Sequence, residues 1–334
     1  MAGTPSTYLY GFGAGSANRE DLADFIGIVD PWETPLYVAS PKEDANHVTV
    51  EWLEDTLAAT STGGATEGGD FNPSDRTAPS RKFNYCQIFR DDFKVTNTQR
   101  AVLMAGAKDA YGYEAYKSLR QVVRNIEVKS FGASGVCAQG TTGTARHMKT
   151  LEDMVTTNVN PANTGEWGLN AGVAGASASA TLMTEDRFNG ILEQIFNTGG
   201  NPDSAYVSAA TKRQISGFSG QGASRRNITM AEKKLIASVD MYDSDVGIIN
   251  IVLDRWVRQA ANTDISHTSR IGRAWFIETP NIRYKILRPI RHVPLAAVGD
   301  ATRGMVVGEL TVCPINEKTH GSFWGVSNYA GAQG

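Results

Sequence analysis

The sequence predicts an α+β chain in which an N-terminal arm, a long β-hairpin and one long helix precede a mixed α/β unit. Three observations carry that expectation. Two aromatic and β-branched segments, 47–56 and 83–95, flank a polar tract with almost nothing to pack. An apolar residue recurs every three or four positions from Leu103 to Ile126. From residue 181 onward, short helical and strand signals alternate.

Bulk properties set the limits. The 334 residues carry 32 Lys+Arg against 35 Asp+Glu, a formal net charge of -3. That balance excludes a generally basic nucleic-acid clamp, which needs uncompensated cations against phosphate. It also excludes the high net charge of a disordered chain. Glycine contributes 34 residues, above the usual share of about 7%, so turns and loops should be plentiful. No stretch approaches the ~18 consecutive apolar residues of a membrane span, so no membrane partner is expected. MAGTPSTYLY lacks the basic-then-apolar pattern of a signal peptide. Cys86, Cys137 and Cys313 are far apart and form no CxxC pair. They read as reduced thiols of a cytosolically made protein.

In chain order, residues 1–17 are rich in Gly, Ser and Ala and read as an extended arm. Asn18 is an N-cap candidate, and Leu22, Phe25, Ile26 and Val29 mark one face of a short helix that Pro31 stops. HVTVEWLEDT (47–56) alternates as a strand with Val48, Val50 and Trp52 on one side, and FNYCQIFRDDFKV (83–95) supplies a second strand. Two strands joined by so long a polar excursion describe a protruding hairpin. Such a hairpin is marginal alone in water, and a loop of more than about 15 residues is normally functional or disordered. It should therefore lean on something outside its own fold.

Thr96 and Gln99 stand at capping-box spacing. The stripe Leu103, Ala107, Tyr111, Ala115, Leu119, Val122, Ile126 then predicts one helix of about 30 residues, roughly 45 Å long. With a single apolar seam it is a spine, exposed along much of its length. Residues 131–180 read as irregular, with a modest helix through His147–Val155. In the second unit, Thr184 caps a helix whose buried face is Phe188, Ile191, Leu192, Ile195 and Phe196, ended by Gly199-Gly200. AYVSAA then reads as a strand, TKRQISGF as a short helix, and KLIASVDMY–DSDVG–IINIVL as a hairpin. AWFIET and YKILRP add strands to this unit, and 303–327 closes with two strands returning to the spine helix.

No convincing catalytic or metal constellation is present in the sequence. There is no Gly-Lys dipeptide and hence no P-loop, and GFSGQG places Gln221 where a nucleophile elbow needs its last Gly. The five histidines show no zinc spacing. Asp243, Asp245 and Asp254 fail as a calcium loop because Ile248 occupies the obligatory glycine position, so a hairpin turn is the plainer reading. Arg225-Arg226, in GQGASRRNI, could bind phosphate or a neighbouring subunit's carboxylates, or simply be a solvated loop. No catalytic residue, cofactor or metal is therefore expected.

The order of these segments carries a resemblance. DLADFIGIVDPWETPLY (21–37), EWLEDTLAA (51–59), NYCQIFRDDFKVTNTQRAV (84–102), GGNPDSAYVSAATKRQISGF (199–218), RRNI (225–228) and KKLIASVDMYDSDVG (233–247) resemble segments of one family. It is the Hong Kong 97-type major capsid proteins of tailed bacteriophages, matched over about 18–327. The resemblance implies a non-enzymatic structural protein with an N-terminal arm (1–46) and an extended β-hairpin loop (47–95). It further implies a peripheral domain with the spine helix (96–180 and 301–334) and a mixed α/β axial domain (181–300). It implies a late protein, made in the host cytoplasm and located in the virion, that self-assembles as pentamers and hexamers into an icosahedral shell around double-stranded DNA. A separate scaffolding protein, a portal and a decoration or cement protein are implied partners. Some relatives weld the loop to a neighbour through a Lys–Asn bond, but Leu57–Ser80 contains no Lys, and Lys82 lies on the returning strand, so no such weld is expected. With at most a short arm before Asp21, any scaffold is expected to be separate unless already removed.

The expected inter-subunit contacts are the arm face (Leu22, Phe25, Ile26, Val29), the hairpin residues Trp52, Phe71, Phe83, Tyr85 and Phe89, and Arg225 with Arg226. At about 25 cal/mol per Å², burying even about 2,000 Å² per subunit outweighs the association cost. Three rivals remain: an encapsulin-like nanocompartment shell of the same fold, an α/β enzyme whose site gathers distant residues such as Asp240, Asp243 and Arg255, and a decoration or tail structural protein, a class usually smaller or more β-rich than this chain.

Overall fold

The computed structural model describes residues 30–57, 63–64, 67–70, 75–76, 78–102, 106, 109–132, 137–160, 183–218, 240–257, 271–296 and 299–327. The elements are, in order, α1 (Pro35–Ala39), β1 (Lys42–Asp44), β2 (Thr49–Glu54), β3 (Ser80–Tyr85), β4 (Gln87–Thr96), α2 (Asn97–Ala101), α3 (Ala110–Ser130), α4 (Leu151–Met154) and β5 (Val159–Asn160). There follow α5 (Glu185–Asn197), β6 (Ser204–Val207), α6 (Ala209–Ile215), β7 (Met241–Asp243), β8 (Ile248–Leu253), β9 (Ile271–Ile277), β10 (Ile282–Leu295), β11 (Ala301–Pro314) and β12 (Gly321–Ser327).

One sheet, ordered β1-β10-β11-β4, carries the spine helix α3 on one face. Val122 and Ile126 of α3 are fully buried with Phe89, Tyr284, Val306 and Leu310, one apolar residue per turn reaching down between strands. Gly304 makes this close approach possible, since a Cβ there would meet Phe93, Tyr111 of the first helical turn and His292 at 2.5–2.9 Å. The β10–β11 register shifts between Ile286 and Arg291, around Pro289, which has no N–H to give the ladder.

The second sheet is ordered β5-β12-β9-β6-β8-β7 and is covered on one face by α5. All four residues of β6 are buried because both faces are occupied: Ala205 and Val207 pack with α5, while Tyr206 points to Phe131 at the end of the spine. β9 repeats the alternation, with Ala274 and Phe276 on one side and Trp275 and Ile277 on the other. The two cores thus share the central strands. A buried ion pair, Arg273 to Glu152 at 3.2 Å, ties β9 to α4.

α5 is set by its ends. The Thr184 hydroxyl accepts from Arg187 N–H, Glu185 and Asp186 occupy the first turn, and Gly199 takes φ 95° after the last turn. At Gly200 a Cβ would sit 2.6 Å from both Ile195 Cγ2 and the Thr319 backbone. Gly200→Ala is therefore expected to cost about 1–3 kcal/mol by overpacking, read from urea midpoints. An unchanged midpoint would show that the contact yields freely.

The structure corrects several expectations. The spine is 21 residues, about 32 Å, not about 30 residues. Thr96 caps the separate five-residue α2, Val102 is extended, Gly106 has φ 79°, and Asp109 caps α3 by accepting from Tyr111 and Gly112 N–H. The 83–95 strand is broken at Cys86 into β3 and β4, which join different sheets. β10, expected with the second unit, pairs with β11 under the spine, whereas β12, expected at the spine, pairs with β9. Phe196 is exposed, because it lies about 90° round the helix from the centre of the buried stripe. The 241–253 hairpin forms as expected, its turn closed by Ser244 and Gly247.

His320, fully buried before β12, accepts from Glu278 N–H through Nδ1 at 3.3 Å. Burial pulls its pKa down to about 4. The unfolded imidazole, with an ordinary value near 6.5, therefore binds a proton that the folded one refuses. Stability present above about pH 6.5 is lost as pH falls toward about 4, by about 3 kcal/mol at most. His320→Asn is expected to flatten this acid limb of a stability–pH curve. A limb of unchanged slope would assign it to other groups.

Candidate assembly surfaces

The hairpin β2–β3 is a two-stranded sheet by itself, in register from Thr49↔Tyr85 to Glu54↔Ser80. Its root is fixed by Asn84, which is fully buried: the side-chain amide donates to Val312 C=O at 2.7 Å, and Oδ1 accepts from Lys149 N–H at 2.7 Å. Cys86 N–H donates to Val48 C=O at 2.8 Å and closes the base. Such an anchor holds the root and leaves the shaft to its own strand pairing.

The shaft has two unlike faces, as strand alternation requires. Val50, Trp52 and Glu54 share one, where Trp52 is half-buried and its indole N–H reaches Glu54 at 3.4 Å. Leu53, Phe83 and Tyr85 share the other with Glu51 and Arg81. There Leu53 is 63% and Phe83 37% exposed, and Leu57, just beyond the strand, is 97% exposed. Lys149 Nζ lies 3.5 Å from the Phe83 ring centroid and covers part of it. The flanking ion pairs, Arg81–Glu51 at 3.3 Å and Lys82–Glu54 at 3.6 Å, are solvent-exposed and hold the shaft weakly.

A second surface lies beside β4, the free edge of the spine sheet. A groove of about 490 Å³ runs between it and α3, with Ile88 and Val128 among its apolar wall and Arg90 and Lys129 at its rim. Ile88 and Val128 are exposed in the single chain. Arg90 pairs with Asp92 at 3.0 Å, a charged arrangement that discourages indiscriminate strand addition along the edge. A third apolar surface is the outer edge of the second sheet, where Met241 and Ile248 are exposed on β7 and β8.

Of the residues expected at contacts, Phe83 is partly exposed and Trp52 and Tyr85 are half-buried on opposite faces of the hairpin. Phe89 is a correction: it is 5% exposed and belongs to the core beneath the spine, because β4 turns it toward α3. Leu22, Phe25, Ile26, Val29, Phe71, Arg225 and Arg226 lie outside the described residues. Sequence reasoning missed Leu53 and Leu57, although the i, i+2 alternation starting at Glu51 already placed Leu53 opposite Trp52. It also missed Asn84, for which no local pattern exists.

Residues 6–327 match the family model for the SU10 major capsid protein. The chain belongs to that family. The capsid protein has the Hong Kong 97-type fold, as its structural neighbours show. The capsid of an empty GTA particle aligns with TM-score 0.58 and 11% identity, over 97% of this chain and 100% of that one. The structure of phage G gp27 major capsid proteins and gp26 decoration proteins aligns with TM-score 0.53 and 8% identity, over 98% and 99%. The SrpI encapsulin of Synechococcus elongatus PCC 7942 aligns with TM-score 0.54 and 8% identity, over 93% of each chain. At these identities the likenesses establish the fold alone. No curated protein matches the sequence. The capsid protein is thus a structural, self-associating component of the bacteriophage virion shell.

Proposed function

We propose that the capsid protein assembles as pentamers and hexamers into an icosahedral shell that encloses double-stranded DNA, without catalysing a reaction. The observation that supports this most directly is the hairpin: a marginal two-stranded shaft, rooted by Asn84, on one face of which Leu53 is 63% exposed and Phe83, partly covered by Lys149, is 37% exposed. The hairpin of one copy would lie across its neighbour. The groove beside β4 is the proposed seat, because Ile88 and Val128 offer apolar surface while Arg90 and Lys129 oppose the sign of Glu67, Asp70 and Asp75 in the distal loop. The arm face Leu22, Phe25, Ile26 and Val29, and Arg225 with Arg226, are proposed contacts of the same lattice.

The proposed division remains arm 1–46, hairpin loop 47–95, peripheral 96–180 with 301–334, and axial 181–300, except that the pairing of β10 favours assigning 282–295 to the peripheral domain. Synthesis in the host cytoplasm late in infection, a separate scaffold, a portal and a decoration protein complete the reading; a neighbour's structure includes decoration proteins. A net charge of -3 suits a wall that contacts DNA without gripping it. Particles isolated from infected cells should hold nuclease-protected double-stranded DNA. Particles filled with a folded protein cargo and no DNA would instead support the encapsulin-like reading.

A further inference from the structure

Glu127, on the spine helix, and Asp254, at the end of β8, are carboxyl groups buried side by side and hydrogen-bonded to each other. Glu127 Oε1 and Oε2 accept from Leu36 and Tyr37 N–H at 2.7 and 2.8 Å, the first amides of α1. Asp254 Oδ1 accepts from Trp256 N–H at 2.8 Å, and its buried Oδ2 has no donor among the backbone and side-chain N–H groups. Two carboxylates in contact cannot both be ionised away from water, so one proton must be shared. Burial raises the pKa of both groups above the ordinary carboxyl range, and the shared proton lies between the otherwise partnerless Asp254 Oδ2 and Glu127, whose two oxygens already accept from amides.

The pair sits where three parts of the fold meet. The segment before β1 is clasped to the second sheet by Trp256 Nε1–H donating to Glu33 C=O at 2.7 Å and by Arg255–Glu33 at 3.3 Å. It is clasped to the spine by Arg120 stacked on Trp32 at 3.8 Å, while Arg124 lies 5.5 Å from the Trp256 ring. Tyr206 from β6 and Tyr284 from β10 lie within electrostatic reach of Glu127, and the surrounding contacts bring Tyr37 from the arm segment, Arg124 from the spine, and Arg255 with Glu33. Burial holds all three phenols above their ordinary value, so they stay neutral near pH 9. Arg255 is engaged with Glu33.

We propose that Glu127 and Asp254 form a proton-held latch that locks the arm-proximal segment 32–39 onto the spine helix and the second sheet, and that releases it when the shared proton leaves. The sign follows from linkage. The folded pair binds a proton that the unfolded carboxyls have already lost, so the latch is strongest below the ordinary carboxyl range and weakens as pH rises toward alkaline values. Loss of the proton sets two buried negative charges against each other. Separating them moves Trp256 off the Glu33 carbonyl and frees the amides of Leu36 and Tyr37.

Hydrogen exchange on the full chain, corrected for intrinsic rates, tests this. Between about pH 6 and pH 9, protection of the Leu36 and Tyr37 amides should fall about tenfold or more, the change that one pK unit of differential proton binding produces, while Val306 in the spine sheet keeps its protection. Asp254→Asn should abolish the fall, because its amide accepts from Trp256 and donates to an ionised Glu127 with no proton to lose. Unchanged wild-type protection overturns the latch whatever the variant does. So does a fall of equal size in a folded Asp254→Asn chain.

Discussion

A chain in which residues 55–79 are replaced by Asn-Gly is expected to fold, remain soluble and fail to close shells. The replacement joins Glu54 to Ser80, which face each other across the hairpin, so the two-residue turn preserves the β2–β3 register. Asn84 keeps its bonds to Val312 and Lys149, and neither core loses a side chain. What disappears is Leu57 and the acidic distal loop, the part proposed to reach a neighbour. Sedimentation and electron microscopy should show subunits or small oligomers with unchanged circular dichroism. Shells of normal diameter would remove the loop from the account of assembly.

Arg273→Ala is expected to cost about 3–5 kcal/mol, the largest effect of any single side chain outside the apolar cores. Arg273 and Glu152 are 3% and 7% exposed, so deleting the guanidinium strands a carboxylate away from water. It also removes the cation stacked 4.4 Å from the Trp275 ring, at the junction of the two cores. Arg273→Met combined with Glu152→Leu removes both charges and should recover most of the loss. Urea unfolding followed by tryptophan fluorescence distinguishes the cases. A single-variant loss below about 1 kcal/mol, or a double variant no better than the single, would deny that the buried charges are the cause.

Local rules made much of this fold legible. Thr184, the stripe from Phe188 to Ile195 and Gly199 specified α5 to within a residue, and the DSDVG turn located the β7–β8 hairpin. The order of segments identified the family. Illegible were the choices made by tertiary pairing. The run 83–95 is β-forming throughout, and nothing local shows that Cys86 divides a strand of the hairpin from a strand of the spine sheet. An apolar stripe crosses 102–109, yet a positive φ at Gly106 and the cap at Asp109 end one helix before another begins. Phe89 and Phe83 look alike in sequence, and only the sheet each joins decides that one is core and the other partly exposed. Glu127 gave no signal at all, because its partners are two backbone amides of residues 36 and 37 and a carboxyl of residue 254.

Central to the account is a subunit whose exposed apolar faces are completed only by further copies of itself. Cryo-electron microscopy of the purified full-length chain under assembly conditions tests it most directly. The expected images are closed particles of uniform diameter, with five- and six-membered clusters in which the Leu53 and Phe83 face is covered by an adjacent subunit. A population of single, compact molecules at every concentration, with that face folded against its own body, would contradict it.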